Sequence, residues 1–142
     1  MKEELRPFHL AIPVDDIPTN RKFYREVLGC VEGRSSEHWV DLNFFGHQLV
    51  IHYKAKTEVD KSESNSVDGK EVPIPHFGVV LDLKTFDYIS ERIKEHQIKF
   101  IIEPYIRFEG EVGEQATLFI NDPAGNVIEF KAFKDPDLLF EN

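Results

Sequence analysis

The sequence has little of what marks secreted, membrane-spanning or nucleic-acid-binding proteins. It contains one cysteine, which excludes an intramolecular disulfide framework. It has no run of 18 apolar residues, and its charged N-terminal residues lack the apolar stretch of a signal peptide. Its 17 basic residues are outnumbered by 26 acidic ones, and the resulting net charge of -9 repels phosphate backbones and anionic membranes. We therefore expect a soluble, cytoplasmic protein that binds neither nucleic acid nor membrane.

One short phrase occurs twice in the chain. Residues 50–55 read Val-Ile-His-Tyr-Lys-Ala, and residues 127–132 read Val-Ile-Glu-Phe-Lys-Ala. Upstream of each copy lies an apolar, strand-like run that carries one histidine near its start, His9 in the first and His76 in the second. Self-similarity of this kind indicates duplication of one supersecondary unit.

Each copy is interpreted as a βαβββ unit, although only two of the three later strands of the first copy are placed on the sequence. The predicted elements are strand 8–14, a helix ending near Leu28 and Gly29, strands 39–45 and 48–53, then strand 76–81, a helix at 84–96, and strands 98–102, 116–121 and 126–133. They indicate an α+β fold in which two tandem βαβββ modules form a curved mixed sheet around a metal cup.

The 142 residues suit a single domain. Its predicted parts are module 1 at about 7–55, a polar linker or flap at about 56–74, module 2 at about 75–133, and a C-terminal tail at 134–142. Modules of this type leave edge strands exposed, and apolar residues near the tail are suited to cover one by contact with another chain. We therefore expect a homodimer, with contacts from Phe133, Leu138, Leu139 and Phe140.

Four residues at matching places in the two modules are candidate metal ligands. Two modules related by a pseudo-twofold axis would bring their equivalent strands together, so His9, His52, His76 and Glu129 are expected around one point. Two imidazoles and one carboxylate can occupy one face of a six-coordinate ion and leave cis positions open for substrate and oxygen. Each residue alone would more often be a half-buried strand histidine or an edge carboxylate. Together, His9, His76 and Glu129 favour a metal site, because burial of a carboxylate without a partner is expensive.

These residues resemble the vicinal oxygen chelate superfamily, which includes glyoxalase I, fosfomycin and bleomycin resistance proteins, methylmalonyl-CoA epimerase and the extradiol dioxygenases. The resemblance covers nearly the whole chain. Besides the paired modules and the two first-strand histidines, it rests on Phe23-Tyr24-x-x-x-Leu28-Gly29 and on Asp122-Pro123-x-Gly125-Asn126-x-x-Glu129. Residues 43–48, Asn-Phe-Phe-Gly-His-Gln, and 108–115, Phe-x-Gly-x-x-Gly-Glu-Gln, resemble the small single-domain branch predicted to be extradiol dioxygenase-like.

The resemblance implies an extradiol-type dioxygenase that uses Fe(II) and acts on a small substrate with vicinal oxygens. Mn(II), Ni(II), Co(II) and Zn(II) are alternative cofactors. Two other functions stay open: a glyoxalase-like isomerase, lyase or epimerase, and a ligand-binding protein of the bleomycin resistance type. His52 stands where glyoxalase I usually has a metal-bound glutamate or catalytic base, which counts against a simple glyoxalase.

Two histidines are candidates for the proton-transferring group that an extradiol dioxygenase needs. His52 and His47 qualify because imidazole titrates near neutral pH. His52 is alternatively a fourth metal ligand, and His47 a turn residue. The candidate substrate-binding residues are Tyr105 and Arg107 in an irregular stretch at 103–115, Gln115 at its end, and Gln48.

Overall fold

The computed structural model describes residues 4–56 and 63–141. The chain divides into two compact units, unit 1 at Met1–Glu58 and unit 2 at Val59–Asn142. Each unit contains a four-stranded mixed sheet, so the strands predicted to share one curved sheet form two sheets. The fold is α+β, as predicted. Among the described residues, no helix is long and apolar enough to cross a membrane.

Unit 1 follows the predicted βαβββ order, and it includes a strand at Val31–Ser35 that is not among the strands located from the sequence. Its elements are β1 (His9–Val14), α1 (Ile17–Lys22), a π-helical turn (Phe23–Val27), β2 (Val31–Ser35), β3 (Trp39–Phe44) and β4 (His47–Tyr53). The strand order is β1-β4-β3-β2, and β1 pairs with β4 in parallel. Asp16 caps α1 by accepting from the Thr19 N–H, and Gly29 follows the helical segment with φ +73°. The predicted helix stop is therefore confirmed, because glycine takes this left-handed conformation without steric cost.

Unit 2 repeats this order after an additional hairpin. Its elements are β5 (Glu63–Val67), β6 (Lys70–Ile74), β7 (Phe77–Leu81), α2 (Leu83–Glu95), β8 (Phe100–Arg107), β9 (Gln115–Asn121), β10 (Val127–Phe133) and a short 3-10 helix (Pro136–Leu138). The sheet order is β7-β10-β9-β8, with β7 parallel to β10. The paired βαβββ modules predicted from the repeat are thus present in both units.

The β5–β6 hairpin lies in the range predicted as a linker, of which residues 57–62 fall outside the described residues. Asp68 and Gly69 connect the strands, and both have positive φ angles of 52° and 75°. An Asp-Gly pair is favoured at such two-residue turns. Val72 of the hairpin packs with Ile102, Phe119 and Val127 in a small apolar cluster. The hairpin therefore covers part of the sheet of its own unit.

Strand β8 corrects another prediction. The sequence predicts a strand at 98–102 and irregular chain from 103, whereas β8 continues to Arg107. Pairing with β9 is interrupted between Phe100 and Ile102 and again between Ile102 and Tyr105. Pro104 lies in the second irregularity, where a missing backbone N–H is tolerated. Tyr105 and Arg107 are therefore strand residues.

The apolar residues expected at a dimer contact differ in exposure. Phe133 is buried within its own unit, whereas Phe140 is 91% exposed. Leu138 and Leu139 are partly buried. Only Phe140 has the exposure that a docking residue requires, and the homodimer stays a prediction.

Gly78 is the residue that permits β7 and β10 to pair closely. It is the register partner of Glu129, and a Cβ atom at Gly78 would overlap the Glu129 carbonyl oxygen. We expect Gly78→Ala to lower the free energy of unfolding by about 1–3 kcal/mol, because the added methyl group overpacks the strand pair. Urea denaturation measures this change.

Gly113→Ala is the matched control, since nothing lies within 4 Å of a Cβ atom built there. Its effect should be close to zero. Equal stability of the Gly78→Ala variant and the wild type would contradict the proposed close pairing.

Candidate metal centre

His76 is fixed in orientation by a backbone carbonyl. It lies directly before β7, and its Nδ1 is 2.8 Å from the Pro73 carbonyl oxygen. Because a carbonyl oxygen only accepts, Nδ1 carries the proton and donates it. The ring also packs edge-on against Phe119, with 5.0 Å between ring centroids. The other ring nitrogen, Nε2, is therefore held in a defined direction and is available for a further interaction.

Glu129 presents one carboxylate oxygen towards this nitrogen. Its side chain is only 11% exposed, and its neighbours in β10, Ile128 and Phe130, are buried. The Thr117 hydroxyl donates to Glu129 Oε2 at 2.6 Å, and Lys131 Nζ lies 3.9 Å from the same oxygen. Oε1 instead faces His76 Nε2 at 3.3 Å. The carboxylate is thus anchored through one oxygen and offers the other.

The spacing of these two atoms fits a metal ion. Two donors on adjacent positions of an ion, with bonds of about 2.1 Å, stand roughly 3 Å apart. His76 Nε2 and Glu129 Oε1 are close to that separation. An imidazole nitrogen beside a carboxylate oxygen is also a donor set that Fe(II), Mn(II) and Zn(II) accept. They border a cavity of about 220 Å³ whose lining includes Lys131 and residues 77–80.

In unit 1, a hydrogen bond from Nδ1 also fixes the orientation of the His9 ring. Its Nδ1 lies 2.9 Å from Gln48 Oε1, so it donates to the amide oxygen and leaves Nε2 available. Gln48, predicted to bind substrate, thus holds a candidate ligand in the structure. His9 and His76 both use Nδ1 for a hydrogen bond. The acceptor is the Gln48 side chain for His9 and the Pro73 backbone carbonyl for His76.

The described part of the chain contains no complete three-ligand cluster. Among residues 4–56 and 63–141, no group of three or more His, Cys, Asp or Glu side chains is placed to hold a metal. The structure brings His76 and Glu129 together within unit 2, while His9 belongs to unit 1. The grouping of all three around one ion stays a prediction.

Strand register changes the equivalence expected for His52. In unit 2, Glu129 pairs with Gly78, which lies two residues after His76. In unit 1, the residue two positions after His9 is Ala11, and it pairs with Val50. His52 pairs with Pro13, four positions after His9. Counted from the histidines, Val50 therefore holds the place of Glu129, and the repeated phrase is offset by two residues from the strand pairing.

The same count places His52 opposite a different residue of unit 2. Lys131 pairs with Val80, four positions after His76, so it is the counterpart of His52. Lys131 Nζ is 3.9 Å from the Glu129 carboxylate. The Lys131 side chain thus reaches the carboxylate of a candidate ligand that lies two residues before it in β10.

His47 is engaged at the beginning of β1. The Phe8 N–H donates to His47 Nδ1 at 2.8 Å. Successive strand residues point to opposite faces of a sheet, so His47 lies on the other face of β4 from Gln48 and His52. Of the two candidate acid–base residues, only His52 shares the face of His9.

The residues expected to bind substrate from 103–115 have partners within unit 2. Arg107 Nε lies 2.5 Å from Asp68 Oδ2, and the Tyr105 hydroxyl donates to the same oxygen at 3.1 Å. The Arg107 hydrogen bond holds the pKa of Asp68 below its ordinary value. Burial, together with the adjacent Asp68, raises the pKa of Tyr105, which therefore remains a protonated donor.

Gln115 and Cys30 are both buried. Gln115 Nε2 lies 3.5 Å from the Gly113 carbonyl oxygen, and its Oε1 has no hydrogen-bond partner among the described residues. Burial raises the pKa of the Cys30 thiol to about 12, so the thiolate needed for nucleophilic chemistry is absent at neutral pH.

Several residues of the centre were missed by sequence reasoning. Thr117 carries no motif, but it lies on the sheet face of Glu129 and can be found by counting along β9 in steps of two. Asp68, which lies outside this centre, is marked in the sequence by its Asp-Gly pair, although the composition of residues 56–74 predicts a linker. The Pro73 carbonyl and Lys131 gave no distinctive signal.

Comparison with known proteins identifies the family. The family model described as "Glyoxalase/Bleomycin resistance protein/Dioxygenase superfamily" matches residues 6–130. A crystal structure of a glyoxalase/bleomycin resistance protein/dioxygenase from Alicyclobacillus acidocaldarius is 33% identical, with a TM-score of 0.75, and the match covers 99% of this chain and 100% of that one.

Two further proteins are similar to this chain in sequence or in fold. Virulence protein STM3117 from Salmonella typhimurium is 29% identical over 125 residues, which cover 88% of this chain and 82% of the relative. The fosfomycin resistance protein FosX from Listeria monocytogenes shares the fold at 18% identity, with a TM-score of 0.63 and coverage of 93% and 94%. The chain therefore belongs to the glyoxalase/bleomycin resistance protein/dioxygenase superfamily.

Proposed function

We propose that this protein is a metal-dependent enzyme, an extradiol-type dioxygenase that acts on a small substrate able to chelate Fe(II) through two vicinal oxygens. The observation that carries the proposal is the pair of donors His76 Nε2 and Glu129 Oε1, 3.3 Å apart beside a cavity. His9, from the same chain or from a second copy, would complete a set of two imidazoles and one carboxylate. A bound Fe(II) would supply Lewis acidity towards a chelating hydroxyl and open positions for substrate and oxygen.

The identity of Val50 supports three protein ligands rather than four. A fourth ligand related to Glu129 by the internal repeat would stand at Val50, and a valine side chain has no donor atom. A three-ligand site leaves room for both oxygens of a chelating substrate and for a third molecule. This count favours the dioxygenase over a glyoxalase-like site in which His52 binds the metal.

The neighbours of the two unit 2 ligands preorganise them. The Pro73 carbonyl fixes the tautomer of His76, and the Thr117 hydroxyl fixes one oxygen of Glu129. Lys131 places a positive charge beside that oxygen. Partners of this kind orient metal ligands before the metal arrives, and their loss typically weakens metal affinity 10- to 100-fold.

His52 is the proposed acid–base group. It is exposed, shares the sheet face of His9, and occupies the strand position from which Lys131 approaches Glu129 in the other unit. From there its imidazole would take a proton from a substrate hydroxyl and return it later in the reaction.

Replacement of Glu129 tests metal binding. We expect Glu129→Ala to lose most of the metal bound by the wild type, because it removes a ligand atom and leaves His76 without its partner. Elemental analysis of protein purified without oxygen or chelator measures bound metal, and circular dichroism checks that the fold persists.

Glu103→Ala is the matched control, since Glu103 is an exposed carboxylate on β8. It should retain wild-type metal content. Stoichiometric metal in a folded Glu129→Ala variant would rule out Glu129 as a ligand.

Replacement of His52 separates the reaction classes. If His52 transfers protons without binding the ion, His52→Gln should keep the metal and lose turnover by about 10²- to 10⁴-fold. The measurements are bound iron after anaerobic reconstitution and oxygen uptake with a panel of catechols. His96→Gln, at the end of α2, should change neither quantity.

Two outcomes would contradict this assignment. Loss of iron from His52→Gln would make His52 a ligand and favour a glyoxalase-like site. Turnover of a hemithioacetal in the absence of oxygen would replace the dioxygenase with an isomerase or lyase.

A further inference from the structure

Asp68 occupies a cationic site on the surface of unit 2. A single oxygen, Asp68 Oδ2, accepts both from Arg107 Nε and from the Tyr105 hydroxyl. Lys70 Nζ lies 4.6 Å from the centre of the Tyr105 ring. The positive groups of Arg107 and Lys70 and the hydroxyl of Tyr105 therefore all act on the one carboxylate of Asp68.

The guanidinium group at this site is held in place. Arg107 Cζ lies 4.9 Å from the centre of the Phe108 ring, and the Arg107 side chain is 21% exposed. Stacking of this kind fixes the plane of the guanidinium group, which suits recognition of planar or tetrahedral oxyanions. Asp68 is more exposed, at 39%, and stands on a two-residue turn. Arg107 is thus the more buried partner of the pair.

The register of the sheet connects this site to the candidate metal ligands. Tyr105 pairs with Thr117, and Thr117 pairs with Lys131. Thr117 also donates to Glu129, which is a proposed ligand. Adjacent strands are about 4.8 Å apart, so the row from Tyr105 to Lys131 spans roughly 10 Å. That distance corresponds to the length of a small substrate.

We propose that Arg107, Tyr105 and Lys70 form a subsite for the carboxylate or phosphoryl group of an anionic substrate, and that Asp68 is an internal occupant which this group displaces. The inference rests on the proposed function only in assigning the anion to a metal-chelating substrate. The substrate class is then a small molecule with vicinal oxygens at one end and an anionic group at the other. The β5–β6 turn, which carries Asp68, acts as the gate of the subsite.

Anion binding tests the subsite independently of the metal. The probes are inorganic phosphate and benzoate, titrated calorimetrically into the 142-residue chain without added metal and at constant ionic strength. Asp68→Asn is the informative variant, because asparagine tolerates the positive φ of this position and lacks the charge. When an internal group occupies the site, the apparent affinity of a ligand is its intrinsic affinity multiplied by the fraction of molecules in which the site is open. We therefore expect Asp68→Asn to bind at least one probe about tenfold more tightly than the wild type.

Glu71→Gln is the matched control for charge. It removes one negative charge from the same hairpin, but Glu71 accepts from Ser64 and not from Arg107. Its affinity for both probes should equal that of the wild type. Adding Arg107→Gln to Asp68→Asn should abolish the gain, whereas Arg107→Lys in the same background should retain part of it.

Three results would overturn the proposal: equal gains in Asp68→Asn and Glu71→Gln, a gain that survives Arg107→Gln, or no gain in Asp68→Asn. The last would identify the Asp68–Arg107 pair as a structural contact of the hairpin. Preference for phosphate or for benzoate distinguishes a phosphoryl from a carboxylate substrate. Normal metal content with failed anion binding would refute the subsite alone, and normal anion binding with absent metal would refute the proposed function alone.

Discussion

The parallel pairing of β7 with β10 is the constraint on which the candidate centre depends. It sets His76, at the start of one strand, beside Glu129, in the middle of the other. Gly78 permits the approach, since any side chain at that position would meet the backbone of Glu129. The hydroxyl of Thr117, on the third strand, then selects which carboxylate oxygen remains available. In this unit, the packing of the β7 and β10 backbones therefore determines the positions of the His76 and Glu129 side chains.

Burial of the Glu129 carboxylate raises the free-energy cost of keeping its charge without partners. A carboxylate that is 11% exposed needs compensation, which Thr117 and Lys131 provide for one oxygen only. The second oxygen, Oε1, faces Nε2 of His76, and the other ring nitrogen of His76, Nδ1, already donates to the Pro73 carbonyl oxygen. Either a second proton on the imidazole or a cation between the two atoms satisfies the pair. Under the proposed function, a metal ion between the two atoms is the reason that both groups are present here.

The internal repeat predicted much of this from sequence. It gave the two βαβββ modules and selected His76 and Glu129, which the structure brings together. It misplaced His52, because a shift of two residues preserves the inside–outside alternation of a strand and leaves the hydrophobic pattern unchanged. Only hydrogen-bond register distinguishes Val50 from His52 as the counterpart of Glu129.

The polar elements were harder to predict than the apolar ones. Strands β5 and β6 contain few large apolar residues, so composition indicated a linker although Asp68-Gly69 is a hairpin turn. The proline within β8 similarly hid the strand that carries Tyr105 and Arg107. The β5–β6 hairpin and the second half of β8 are both stabilised by pairing and packing with other strands. The local sequence pattern carries no information about those contacts. The proposed anion subsite lies where these two elements meet, and for that reason its internal occupant was not identified from sequence.

The most direct test of the central claim is to count the histidine nitrogens bound to a metal ion. Pulsed electron paramagnetic resonance of the Mn(II)-loaded protein, prepared with ¹⁵N-labelled histidine, measures this number. Two coordinated imidazoles in the wild type, with one lost in His76→Gln, is the result expected for ligation by His9, His76 and Glu129. A signal without imidazole coupling, or coupling unchanged in His76→Gln, would contradict it.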